Sequence, residues 1–213
     1  MKKTLVLFAT MISGMFSFGQ NDKYVNAMKA NISRLDSGLI NGNMAELSNN
    51  FERIGDAEKN QWLPYYYASY CTLMNAFFEK DKSKTDGIAN KAEQLIQKAE
   101  GIAGEENSEI CVIKSMVASD HMMVDPQTRW QQYGEASATN ITKAKALNPS
   151  NPRPIYLEGQ AKFYTPESFG GGKAPAKELF IKALQMFDTF KPETELHPAW
   201  GRASTQYFLS LAN

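Results

Sequence analysis

Five aromatic side chains crowd into nine positions: Trp62, Tyr65, Tyr66, Tyr67 and Tyr70. A phenol holds its proton to about pH 10, so such a cluster does no acid–base work at neutral pH. What it offers is flat contact area with a hydroxyl at the rim, which is the chemistry of binding. On a helix, three consecutive tyrosines fan across about 200° and cannot all enter one core face. At least one must meet solvent, a neighbouring helix edge or a partner.

Other residues able to do chemistry are sparse. Asp120-His121-Met122-Met123, with Met116 one turn earlier, has the donor types of a soft-metal cluster. Methionines at helical spacing serve a core equally well, and neither His121 nor His197 has a ligand partner four residues away, so no metal centre is expected. No serine or cysteine stands in a nucleophile motif and no cofactor fingerprint occurs, so neither an enzyme nor a bound cofactor is expected. Phe169-Gly170-Gly171-Gly172-Lys173 bares backbone N–H groups ahead of a helix, which is the physics of an anion cradle. A P-loop would need a further glycine upstream and a hydroxyl after the lysine, where Glu167 and Ala174 stand. The run is therefore expected as a tight corner with Phe169 tucked between two helices. Cys71 and Cys111 form either a disulfide of an exported protein or two buried small apolar residues.

The elements that must position these residues are helices. Apolar residues recur at helical spacing almost throughout, without sustained alternation, so the chain is expected to be all-α. Nine helices are expected, over Asp22–Ile40, Asn43–Ile54, Gln61–Lys80, Lys84–Ala103, Ser108–Val124, Pro126–Leu147, Pro152–Thr165, Lys173–Phe190 and Pro198–Leu211. Pro126, Pro152 and Pro198 suit first turns; Asn43, Asp125 and Asn151 can cap starts; Gly42, Gly55, Gly104 and Asn148-Pro149 mark ends.

Four of these helices carry the same cassette: Leu47-x3-Phe51-x2-Ile54, Ala92-x3-Ile96-x2-Ala99, Ser137-x3-Ile141-x2-Ala144 and Ala176-x3-Phe180-x2-Ala183. Steps of four and three put each triplet on one helix face, and the cassettes start 45, 45 and 39 residues apart. A near-constant period suits a stack of helix pairs. With Leu147-Asn148-Pro149 ending one cassette helix, and Leu157-x-Gly159 in the helix ahead of the last, the cassettes resemble the second helices of tetratricopeptide repeats, at a period longer than that family's roughly 34 residues.

This resemblance implies a right-handed superhelical stack of antiparallel helix pairs, closed by a capping helix from Trp200-Gly201 to Leu211. It also implies that the leading helix of each pair lines a concave surface, where ligands of such solenoids are held. Tyr66 and Tyr70 are then the first groove candidates, and Glu158, Lys162 and Tyr164 on a later leading helix are the next; the alternative is that the tyrosine rings pack between long helices and only their hydroxyls emerge.

The start of the chain carries an address. Lys2 and Lys3, the apolar run Thr4 to Phe16 and small residues at Ser17 and Gly19 read as a signal peptide over residues 1–19, cut before Gln20. The run is short for a membrane span, which needs about 20 residues, so no stable membrane insertion is expected after cleavage. The remaining helical domain, residues 20–213, keeps 21 basic and 23 acidic residues, a formal charge of −2. Interleaved and nearly balanced charge offers no field to a polyanion, which removes nucleic acid from the expected partners. The expectation is an exported, periplasmic or secreted binding or scaffold module that holds a protein or peptide in its concave groove. The alternative is a small-ligand-binding periplasmic protein associated with a transport system.

Overall fold

The computed structural model describes residues 22–76 and 78–213; the expected signal peptide lies outside the described residues. The first helix, α1, covers residues 22–32, and after a turn α2 runs Leu35–Asn41. There follow α3 (Met44–Glu58), α4 (Leu63–Ala76), α5 (Thr85–Ala103), α6 (Ser108–Val124), α7 (Pro126–Arg129), α8 (Glu135–Leu147), α9 (Arg153–Tyr164), α10 (Lys173–Thr189) and α11 (Arg202–Ala212). A π-helical turn, Trp130–Gly134, joins α7 to α8, so the two form one rod. There is no strand among the described residues.

The cassettes are the buried faces of their helices. Leu47 and Phe51 on α3, Ala92, Ile96 and Ala99 on α5, Ser137, Ile141 and Ala144 on α8, and Ala176, Phe180 and Ala183 on α10 are all buried. Ile54 is half-buried against the same core. Small residues let the preceding helix come close enough for side chains to reach its neighbour's backbone. Ser69 donates to the carbonyl of Ala92 at 2.7 Å, and Ser108 donates to that of Ala144 at 2.8 Å. At Gly159 a Cβ would stand 2.6 Å from the Phe180 ring, so α9 and α10 approach as closely as they do only because that side chain is missing.

Each helix packs on its chain neighbours, in the order α3, α4, α5, α6, α8, α9, α10, α11. The alternate helices also touch, α4 with α6, α6 with α9 and α9 with α11. Ten of the fourteen residues of α4 are buried, which makes it the most enclosed helix on this inner row.

One expected helix start is wrong. Residues 190–201 are not helical; they form a strap that turns back across the row. Pro198 does not open a helix, because its carbonyl accepts from buried Arg153 and Trp200 is turned onto the tyrosines of α4. The helix begins only after Gly201, whose φ of 113° and whose contact with the Phe187 ring exclude a side chain.

Candidate functional site

The inner row has two halves. At the N-terminal ends of α4, α6 and α9 the chain completes itself. Glu109, in the first turn of α6, accepts from Arg153 at 2.9 Å, from Asn151 at 2.8 Å and from the Tyr66 hydroxyl at 3.0 Å. The strap then covers this group. Trp200 donates its indole N–H to the Tyr66 hydroxyl at 2.9 Å and stacks on Tyr70 at 4.4 Å between centroids. Tyr67 donates to the Leu196 carbonyl at 2.9 Å. The Arg153 guanidinium lies over both Phe190 and Trp200 and is fully buried. Burial holds the Glu109 carboxyl above its ordinary value, although Arg153, Tyr66 and Asn151 pull it down.

This resolves the tyrosine fan, and it corrects two groove candidates. Tyr65, Tyr66 and Tyr67 are all buried, and their hydroxyls leave in three directions: to Asp56 on α3 at 2.7 Å, to α6, and to the strap. Tyr66 and Tyr70 line no open groove, because Trp200 occupies that place. Burial raises both phenols well above the ordinary range. Glu158 is paired with Lys145 at 3.0 Å, and Lys162 donates to the Gly170 carbonyl at 2.9 Å. Tyr164 alone of the five candidates is freely exposed, at 63%.

The glycine corner is no anion cradle. The N–H of Gly170, Gly171 and Gly172 donate to the carbonyls of Glu167, Pro166 and Lys162, so they point inward. Phe169 is not tucked between helices but 78% exposed at the tip of the corner.

Down the C-terminal halves of the same helices the row stays open. Tyr164 ends α9; on α11, Tyr207 is 61% exposed, and Leu211 one turn on is also exposed. Phe208 lies between them, with ring centroids 6.1 Å from Tyr164, 5.6 Å from Tyr207 and 5.8 Å from Phe163. The result is an aromatic shelf with two hydroxyls at its edge. Partial burial, then the neighbouring Tyr207, raise the Tyr164 phenol.

The open part of α6 is fixed by its phase. Ser115 and Ser119 meet Ser137 on α8, while Lys114 and His121 reach Glu100 and Asp86 on α5. The remaining side begins at Glu109 and continues through Met116, Asp120 and Met123 at steps of seven, four and three. Met123 is 50% exposed, whereas the Oδ2 atom of Asp120 is buried without a hydrogen-bond partner. Burial alone pushes the Asp120 carboxyl up to about 7.

The donor types of the Asp120–Met123 run are split by the helix. His121 turns away from Asp120, donates from Nδ1 to the Asp86 carboxylate (2.8 Å) and stacks on Tyr133 of the π-helical turn at 5.0 Å. Hydrogen bonds from Arg129 and then His121 lower Asp86 to about 2. Among the described residues there is no group of three or more histidine, cysteine or acidic side chains that could hold a metal ion. Cys71 and Cys111 are free and buried, and burial pushes both thiols up, Cys111 to about 11. No helix among the described residues is long and apolar enough to cross a membrane.

Most of the chain has a solved counterpart. The HusA haemophore from Porphyromonas gingivalis matches it with a TM-score of 0.78 and 34% identity, over 89% of this chain and 92% of that one. The chain belongs to the HusA haemophore family. No protein-family model matches it, the tetratricopeptide repeat included, and no curated protein matches by sequence. Membership in the HusA family corrects the expectation of a protein-binding scaffold, since HusA is a haemophore and carries a small ligand.

Three residues of the open half escaped the sequence reading. Tyr207 and Leu211 are four apart on the last helix, a pattern that marks a shared face, but the resemblance implies only a cap there. Asp120 is an acid inside an apolar stripe, four residues after Met116 and three before Met123. That anomaly is visible in the sequence, but nothing local marks the acid as unpartnered.

Proposed function

We propose that the protein is an exported carrier of haem or a closely related porphyrin, and that it takes the ligand on the open half of its inner row. The observation that carries this reading is the 34% identity to a haemophore over nearly the whole chain. Geometry supports it: a planar apolar macrocycle suits the shelf formed by exposed Tyr164 and Tyr207 on either side of the Phe208 ring. Both histidines are turned to other partners, His121 to Asp86 and His197 to Thr194 and Glu193, so the reading rests on ring-to-ring contact.

Sequential packing of neighbouring helices, with every second one meeting along the inner row, supports a right-handed stack of helix pairs as the frame of this site. The basic start, apolar run and small residues before Gln20 support export with removal of residues 1–19.

The test is an absorbance titration of the chain from Gln20 onward with ferric haem, repeated with metal-free protoporphyrin. Saturable binding is expected with both. Replacing Tyr164 and Tyr207 together by serine should weaken each by at least about tenfold, since buried aromatic contacts carry the largest shares of binding energy. Full affinity in the double variant would move the site off the shelf; no saturable binding in the parent would overturn the carrier reading.

A further inference from the structure

The shelf explains contact with a flat ligand but not its release. The open side of α6 supplies a group that can govern release. Asp120 lies eleven residues after Glu109, three turns on and within about 20° of the direction in which Glu109 meets Tyr66 and Arg153. It therefore stands on the inner row, about 16 Å down the helix from the ion pair, flanked on its stripe by Met116 and Met123. One of its oxygens is buried with no hydrogen-bond donor.

The charges around α6 are engaged elsewhere. On α5, Asp86 and Glu100 are held by Arg129 and Lys114; on α8, Lys143 and Lys145 are held by Glu106 and Glu158. On α9, Arg153 is bonded to Glu109 and Tyr164 stands exposed; on α4, Tyr66 and Tyr70 lie under Trp200. From α7 and the π-helical turn, Arg129 and Tyr133 turn to Asp86 and His121. On α9 Lys162 donates to the Gly170 carbonyl, and among the described residues Asp120 has no ion-pair partner; burial is the sole cause that moves its carboxyl.

We propose that Asp120 makes loading of an anionic porphyrin depend on pH, admitting the ligand when its carboxyl is protonated and opposing it when ionised. This rests on the porphyrin reading above. Haem carries two carboxylate side chains, and a second negative charge in water-poor surroundings repels them strongly. A protonated carboxyl instead offers an O–H donor to a ligand oxygen. Binding that excludes the remaining water further disfavours the ionised form, so ligand uptake and proton uptake reinforce each other. The carrier then loads in mildly acid surroundings and lets go in alkaline ones.

The experiment compares the parent chain from Gln20 with Asp120→Asn in titrations with ferric haem and with metal-free protoporphyrin between pH 5.5 and 8.5. Parent affinity should fall by roughly tenfold from pH 6 to pH 8 for a single linked proton, while Asp120→Asn stays level near the acid value. A variant that keeps the parent's pH profile, or a parent that binds more tightly as pH rises, overturns the proposal. A second readout needs no ligand. A carboxyl raised in the folded state gives stability that is present in acid and lost as pH rises through about 7, so the parent should lose melting temperature relative to Asp120→Asn between pH 5 and 8. Parallel melting curves overturn the role of Asp120 itself. Absence of binding at every pH with diverging melting curves sinks the porphyrin reading, and the loading role with it, while leaving the buried acid in place.

Discussion

The two halves of the inner row are made from the same helices and differ in who finishes them. At the N-terminal ends the strap supplies the missing partner: Trp200 fills the aromatic gap and Pro198 takes up a proton donor of Arg153. At the C-terminal ends Tyr164, Tyr207 and Met123 stand exposed, and one buried oxygen of Asp120 is left without a hydrogen-bond partner. Density of tyrosine is thus a poor guide to function in this molecule. The richest cluster is structural because its hydroxyls are satisfied internally, and the poorer one is available.

The largest effect should come from the closed half. Replacing Arg153 by methionine leaves Glu109 buried without its cation and should cost about 3–5 kcal/mol in urea melts. Adding Glu109→Gln should recover a good part of that loss, because the unpaired charge rather than the pair itself is the burden. If Arg153→Met alone melts like the parent, the closed half is not an integrated unit and the contrast fails.

Trp200→Ala comes next, at about 3 kcal/mol for a stacked and buried indole. Porphyrin affinity should stay within about twofold of the parent. A variant that folds and binds several times more tightly would show that the strap competes with ligand, and the boundary between the halves would have to be redrawn.

The smallest stability change belongs to the open half. Tyr164→Ser with Tyr207→Ser should shift the melting midpoint by less than about 1 kcal/mol, as exposed side chains do. A loss as large as that of Trp200→Ala would make the shelf part of the core and remove it as a site.

Much of the frame could be read from the sequence, because cassette spacing is a local property. Phe51, Ile96, Ile141 and Phe180 are buried as their three- and four-residue steps require. The fate of Tyr66 and Tyr70 could not be read the same way. Periodicity shows that a face is apolar, not what covers it, and the cover here arrives from 129 and 134 positions away, through Leu196 and Trp200. Pro198 misled for the same reason: its suitability for a first turn is local, whereas its carbonyl is claimed by Arg153 from a distant helix. Tyr164 was legible as a candidate because its helix phase is local; Asp120 was legible as an oddity and not as a lone acid, since its isolation depends on His121 turning to Asp86.

The strap also sets an order of events. Most contacts in this molecule join neighbouring helices and can form as soon as each pair of segments has emerged, the situation in which chains fold fast. The seal over Tyr66, Tyr67 and Tyr70 cannot form until residues 196–200 are present, so loop-closure entropy over some 130 residues is met last. A chain still being synthesised therefore shows the buried aromatics of α4 to its surroundings until residues 196–200 arrive. For that interval its solubility depends on whatever escorts it, not on its own fold.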